Sequence, residues 1–378
     1  MVRFKAVLVV IVVILTSVIG VSAQSEPAKQ TLFLSFVPNV QFAPVYVALD
    51  KGDFAAANLD VTVQNGDETT GVDLIAANQL QFGLVSAEEV IKARSNGRPV
   101  VSVYEWFQKY PIGIVVSAAS GIESVKDLKG HKVGIPGHFG ASYNGLTALL
   151  KANDLTESDI DLQDIGFNAP DVFCVGAVEA AVVYINNEPL QIQQRADAGN
   201  CNGVKSVKVF AVSDAVDLVS NSLVTNEQTI TDHPDQVTGM VKAFDAGLRA
   251  SINNPAQAYL SSLKYVDNLP TTDAFNAALQ DAAAAQDVFL ATKPDRKAIA
   301  DSRAETLKSL STKFDAATLV QFQVLLNTID LWDADHVGLA EQASYETTQK
   351  VLTDMKFVTA PIDVTKAFTN DFPPVESK

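Results

Sequence analysis

Short apolar runs alternate with stretches of helical periodicity through the first half of the chain. Thr31 to Val37 is a continuous apolar run of the kind that makes a buried strand. A Pro38-Asn39 turn follows, and Ala43 to Phe54 has helical spacing. Leu59 to Val63 alternates in the period-two manner of a strand. The pattern then predicts a helix over 70–78, a strand over 82–85, a helix over 87–95 and a strand over 100–104. Strands alternating with short helices imply βαβ units and a mainly parallel sheet.

The alternation restarts beyond residue 112. It predicts strands over 132–135, 180–184 and 207–212, with helices over 140–151 and 188–195. "NQLQFGLVSAEE" (78–89) and "GAVEAAVVYINNE" (176–188) both run from a helix end through a small-residue strand into a polar switch, which puts Ser86 and Tyr184 at equivalent strand ends. Two similar α/β lobes result. Lobe one takes residues 32–112 and 213–360, and lobe two takes 113–212. The chain then crosses between them twice, so the crossings form a two-segment hinge and the strand C-terminal ends face one another across a cleft. From Gln228 to Met355 the chain is rich in Ala, Leu, Gln and Lys at helical spacing, a helical extension on lobe one. Residues 361–378 read as a loose tail.

The N-terminus adds a compartment. Arg3 and Lys5 precede an uncharged apolar run from Ala6 to Val21, and Val21-Ser22-Ala23 suits a signal peptidase, so residues 1–23 are expected to be a signal peptide, with an uncleaved anchor as the alternative. Charge excludes some partners. At −16 formally, the surface repels phosphate backbones and anionic headgroups, against a nucleic-acid role. Cys174 and Cys201 are the only cysteines; in an oxidising compartment they are a disulfide candidate worth roughly 3 kcal/mol, or else two separate buried thiols. Neither they nor the four histidines have metal-ligand spacing.

Catalysis has no signature: the nucleophile elbow, Walker loop and dinucleotide fingerprint are missing from the sequence. Binding has several. "VYEWFQKYPI" (103–112) concentrates Tyr104, Trp106, Phe107 and Tyr110 at the first crossing, in a chain that is 8% aromatic. Some of these rings belong to a core, and Trp106 or Tyr110 is expected to line the cleft. "GIPGHFGAS" (134–142) opens a helix, so the backbone N–H groups of Gly140, Ala141 and Ser142 suit a polar ligand group, or the glycines only make a tight turn. Asn39 lies at the first strand-to-helix turn with Phe42 and Tyr46 nearby, and "YINNEP" (184–189) supplies Tyr184, Asn187 and Glu188 at the equivalent place in lobe two. Phe42 and Tyr46, four apart, equally suit a core pair, and Glu188 a helix cap. These loops contain no arginine, against a sulfonate, nitrate or phosphonate ligand.

"FVPNVQFAPVYVALDKGDFAAANLDV" (36–61), "FGLVSAEEVIKARSNGRPVVSV" (82–103), "SVKDLKGHKVGIPGHFGAS" (124–142) and "GAVEAAVVYINNEP" (176–189) together resemble the substrate-binding proteins of ABC importers related to thiamine-pyrimidine synthase. The resemblance covers about 32–225. It implies a type II periplasmic-binding-protein-like fold and a monomeric extracytoplasmic carrier that needs no cofactor and serves a membrane-bound ABC permease. The long aromatic stretch resembles riboflavin-binding members most, with formylaminopyrimidine, a thiamine pyrimidine precursor, as the alternative ligand. The resemblance also implies that Asn39, Tyr184 and Glu188 face the ligand. The synthase relatives depend on a cysteine-rich iron-binding motif that this sequence does not contain, so an enzyme is not expected.

Overall fold

The computed structural model describes residues 26–373, so the expected signal at residues 1–23 and the last five residues of the tail lie outside the described residues. The strands are β1 (Ala28–Leu34), β2 (Leu59–Asn65), β3 (Phe82–Ser86), β4 (Val100–Glu105), β5 (Ile112–Ser117), β6 (Lys132–Ile135), β7 (Asp161–Asp164), β8 (Ala180–Tyr184), β9 (Val207–Ala211) and β10 (Asn221–Asn226). The helices of the two α/β units are α1 (Ala43–Lys51), α2 (Asp53–Ala56), α3 (Glu68–Ala76), α4 (Ala87–Ser95), α5 (Gly140–Ala152), α6 (Ala169–Cys174) and α7 (Glu188–Asp197). A helical series follows: α8 (Glu227–Asp232), α9 (Pro234–Asn253), α10 (Pro255–Ser262), α11 (Asp273–Leu290), α12 (Arg296–Ser311), α13 (Ala316–Trp332) and α14 (Gln342–Asp354).

The strands form two five-stranded sheets, ordered β2-β1-β3-β10-β4 and β7-β6-β8-β5-β9. The orders correspond position by position. In each, the first three strands are parallel and the fourth runs antiparallel to both neighbours. Ser86 at the end of β3 pairs with Asn221, and Tyr184 at the end of β8 pairs with Ile112, so both residues stand where a central strand meets the crossing strand. Neither sheet is therefore as parallel as the βαβ pattern predicts. The reason is the short connections: residues 106–111 are too few for a crossover helix, so β5 enters lobe two at the hinge and must run away from it. The sequence pattern treats β5 and β10 as connections, although each is a fully central strand.

The helix expected over 43–54 is two helices. Gly52 breaks it in the left-handed region, at φ 76°, with its N–H turned back to Ala48 and Leu49. Much of the core lies between the first sheet and α1, α9, α10 and α13, where Phe244, Tyr259, Phe322 and Trp332 are buried. The helical series also reaches lobe two, through α13 against α7 and α14 against α5. The expected looseness of the tail does not hold for residues 363–373. Ala367 O accepts from Ser102 N and Thr369 N donates to Ser102 O, each at 2.9 Å, while Val364 and Ala367 are buried. The tail thereby covers the outer edge of β4, an edge that otherwise exposes unpaired backbone groups.

Candidate functional site

A cleft of about 790 Å³, part of it open to solvent, lies where the C-terminal ends of the parallel strands of both sheets converge. Lobe one contributes Ser35 and Phe36 after β1, Gln41 and Phe42 from the short turn before α1, Glu68 at the start of α3, Trp106 and Phe107 after β4, and Asn221 at the start of β10. Lobe two contributes Pro136 and Phe139–Ser142 around the N-terminus of α5, Gly166 and Phe167, Val182 to Tyr184 and Glu188.

Of the residues singled out in the sequence, Phe42, Trp106, Gly140, Ala141, Ser142, Tyr184 and Glu188 line this cleft. Trp106 has two duties. Its ring tilts over Phe42 at 5.7 Å and over Trp332 at 5.8 Å, and it packs edge-on against Phe107 at 4.7 Å, so one indole serves both core and wall. Its Nε1 has no acceptor among the described residues.

Six expected residues lie off the lining, each for a local reason. Asn39 caps the turn that follows it, its side chain accepting from Gln41 N at 3.0 Å; it borders a separate surface notch together with Asn187, whose Nδ2 donates to Glu188 at 3.1 Å. Tyr46 stacks on Tyr265 in the core at 4.9 Å. Tyr104 points into lobe one, donating to Asp245 at 2.7 Å and packing on Phe244. Ser86 is buried behind the cleft floor, where its N–H donates to Glu68 at 2.5 Å. Tyr110 joins the lobes beside the hinge, donating to Glu88 at 2.6 Å and lying 2.9 Å from Ala141 O.

Residues that no sequence motif marks also make the cleft. Glu68 reaches across from lobe one and accepts from Ala141 N at 3.1 Å, occupying the α5 N-terminus that the glycine pattern marked for a ligand. Gly140, at φ 63°, allows this approach, because a Cβ there would overlap Glu68 Oε2. On the other side, Asn186 Nδ2 bonds Gln41 Oε1 at 2.6 Å and Thr328 at 2.7 Å. At the mouth, Phe36 of lobe one meets Phe167 of lobe two edge-to-face at 4.8 Å. Phe36, Gln41, Phe167 and Asn186 lie between a strand end and the next helix and Glu68 opens the helix after β2, so position was their only sequence signal; Thr328, inside α13, had none.

The electrostatics are unusual for so acidic a chain. Among the described residues, the lining holds two carboxyls and no lysine, arginine or histidine. Burial pushes Glu188 up to about 7, and burial with repulsion from Glu89 does the same for Glu68. Just behind, burial and the nearby Glu68 carboxyl raise Glu88 to about 8; burial raises Glu105 to about 8 against donors from Ser222, Ser220 N and Tyr345. An acid whose folded pKa is raised binds more protons folded than unfolded, so its contribution is full below about 4.5 and is lost as pH climbs through 7 to 8. The protein is expected to unfold at a lower temperature at pH 8.5 than at pH 5.5. A combined loss of about 2 kcal/mol or more is expected across that interval. Calorimetric melts at both pH values check it, and equal stabilities would contradict the assigned burial.

Cys174, at the end of α6, and Cys201 are joined by a disulfide. No group of three or more His, Cys, Asp or Glu side chains gathers as a metal site among the described residues. None of the described helices is long and apolar enough to cross a membrane.

A family model described as NMT1/THI5 like matches residues 39–258. The chain is 28% identical over 361 residues to the riboflavin-binding protein RibY of Chloroflexus aurantiacus, covering 93% of this chain and 88% of that one. It is 27% identical over 242 residues to the formylaminopyrimidine-binding protein of Halalkalibacterium halodurans, covering 63% and 71%. It is 23% identical over 243 residues to the 4-amino-5-hydroxymethyl-2-methylpyrimidine phosphate synthase of Uromyces fabae, covering 62% and 70%. Among solved structures, the alkanesulfonate-binding protein SsuA of Xanthomonas axonopodis pv. citri superposes with a TM-score of 0.61 at 12% identity, over 92% of this chain and 99% of that one. The nitrate-binding protein NrtA of Synechocystis gives 0.53 at 14%, over 92% and 87%. The fold is thus that of the type II periplasmic binding proteins.

Proposed function

The chain belongs to the NMT1/THI5-like family, and from that membership and the make-up of the cleft we propose that it is the extracytoplasmic solute-binding protein of an ABC importer, carrying riboflavin. The observation that carries this reading is an aromatic wall, Trp106 with Phe42 tilted against it, facing a cleft with no cationic side chain in its lining among the described residues. A planar, uncharged heterocycle fits such a wall: stacking is worth roughly 1–3 kcal/mol per ring in nucleobase systems. Micromolar binding needs about 8 kcal/mol, which two ring faces and several hydrogen bonds can supply.

Trp106 and Phe42 take the ring face, and Gln41, Asn221, Tyr184 and Glu188 offer hydrogen bonds to the ring edge and side chain. Ligand contacts to both lobes favour closure, because only the closed form makes them together. The similarity to RibY over nearly the whole chain supports riboflavin, and the disulfide suits an oxidising compartment outside the cytoplasm. The carrier acts as a monomer and hands its ligand to a membrane permease. The similarity to the formylaminopyrimidine-binding protein supports a second reading, in which Glu188 pairs with an aminopyrimidine.

A thermal-shift panel separates these. Riboflavin at a hundredfold excess over its Kd is expected to stabilise the protein by about 2.7 kcal/mol, with formylaminopyrimidine and an alkanesulfonate inert. A shift with the pyrimidine alone would transfer the proposal to the second ligand.

A further inference from the structure

We propose that Glu68 is a specificity-determining residue that makes the cleft reject the phosphorylated form of its own ligand and other anions. This deepens the preceding reading and rests on it for the ligand class.

The start of a helix such as α5 attracts anions, because its first N–H groups are unpaired and its dipole is positive there. In this protein the place is already taken. Glu68 comes from the opposite lobe, accepting from Ser86 N with one carboxyl oxygen and from Ala141 N, in the first turn of α5, with the other. The residue that would have closed off this approach is Gly140, whose missing Cβ leaves room for Glu68 Oε2. Glu68 is itself buried, and the titratable groups around it are acids rather than cations: Glu88 and Glu89 on α4 face it, with Tyr110 and Tyr184 beyond. Lys92 is committed to Glu89 at 2.7 Å, and Asn144 donates to the same carboxylate at 2.8 Å. An anion entering the cleft therefore finds the α5 N-terminus capped, a second carboxyl at Glu188, and no cation in the lining among the described residues. A neutral ligand with hydroxyl or N–H donors finds acceptors instead.

The expected size follows from Coulomb's law. With Glu68 ionised, as it is above its raised pKa of about 7, two like charges about 8 Å apart at an effective dielectric of about 20 repel by about 2 kcal/mol, about thirtyfold in affinity. The experiment uses two neutral and phosphorylated pairs: riboflavin with flavin mononucleotide, and hydroxymethylpyrimidine with its phosphate. Calorimetric titration of the wild type at pH 8, where Glu68 is mostly ionised, is expected to give phosphate forms that bind about thirtyfold more weakly or worse. Glu68→Gln is expected to narrow that ratio by about fivefold or more through tighter binding of the phosphate form, while Glu68→Asp, which keeps the charge, preserves selectivity. Glu68→Ala replaces the glutamine variant should that one not fold. Selectivity in the pyrimidine pair with no riboflavin binding would overturn the flavin reading and support the role of Glu68. Equal affinities within a pair in the wild type, or an unchanged ratio in the folded variant, would overturn that role. Binding of neither neutral compound would overturn both.

Discussion

Trp106→Ala is expected to lose about 3–5 kcal/mol of stability and to weaken riboflavin binding at least about tenfold. Both losses come from one side chain. Trp106 is 2% exposed, lies between Phe42 and Trp332, and also packs edge-on against Phe107 and Phe244, so its removal leaves a cavity that these rings cannot close together. The same indole lines the cleft, so the variant also loses a stacking face. Urea unfolding and flavin titration measure the two effects separately. Trp106→Phe is expected to recover most of the stability and part of the affinity. A folded alanine variant with wild-type affinity would falsify the wall role and leave Trp106 as core alone.

Removing the disulfide is expected to have the second-largest effect. The Cys174–Cys201 bridge closes a loop of 27 residues, and the chain-entropy estimate for such a loop is about 3 kcal/mol. The loop contains β8 and α7, which carry Tyr184 and Glu188 into the cleft, so the bridge ties down the part of lobe two that presents them. Both sulfurs are buried among Phe173, Val178, Ile192 and Ala196. A Cys174→Ser, Cys201→Ser double variant should unfold at a clearly lower urea concentration, and the reduced wild type should match it. Equal midpoints for oxidised and reduced protein would show that the loop is held by packing alone.

The two lobes were legible because their parallel strands are short apolar or alternating runs between helical stretches, and periodicity reports that directly. The crossing strands were not. β10 reads Asn-Ser-Leu-Val-Thr-Asn, polar at both ends yet buried throughout, because its polar side chains meet partners from distant segments, such as Ser222 with Glu105 and Thr225 with Gln81 O. No local pattern encodes such pairings. The same limit shaped the site. Rings could be counted in "VYEWFQKYPI", but their directions depend on where β4 ends: Tyr104 is still in the strand and faces the core, whereas Trp106 and Phe107 follow it and turn to the cleft. Tyr110 found a buried carboxyl partner and became part of the hinge. Glu68 escaped notice because an acidic residue in the first turn of a helix ordinarily complements its own helix dipole. Only the meeting of the lobes shows that it serves α5 instead.

The central claim is that this cleft holds one riboflavin, and titration of the protein with riboflavin, following flavin emission, tests it most directly. Saturable quenching at one flavin per chain, with a Kd of about a micromolar or less and no reversal by formylaminopyrimidine, is the predicted result. A folded protein that leaves flavin emission unchanged while binding the pyrimidine would contradict it.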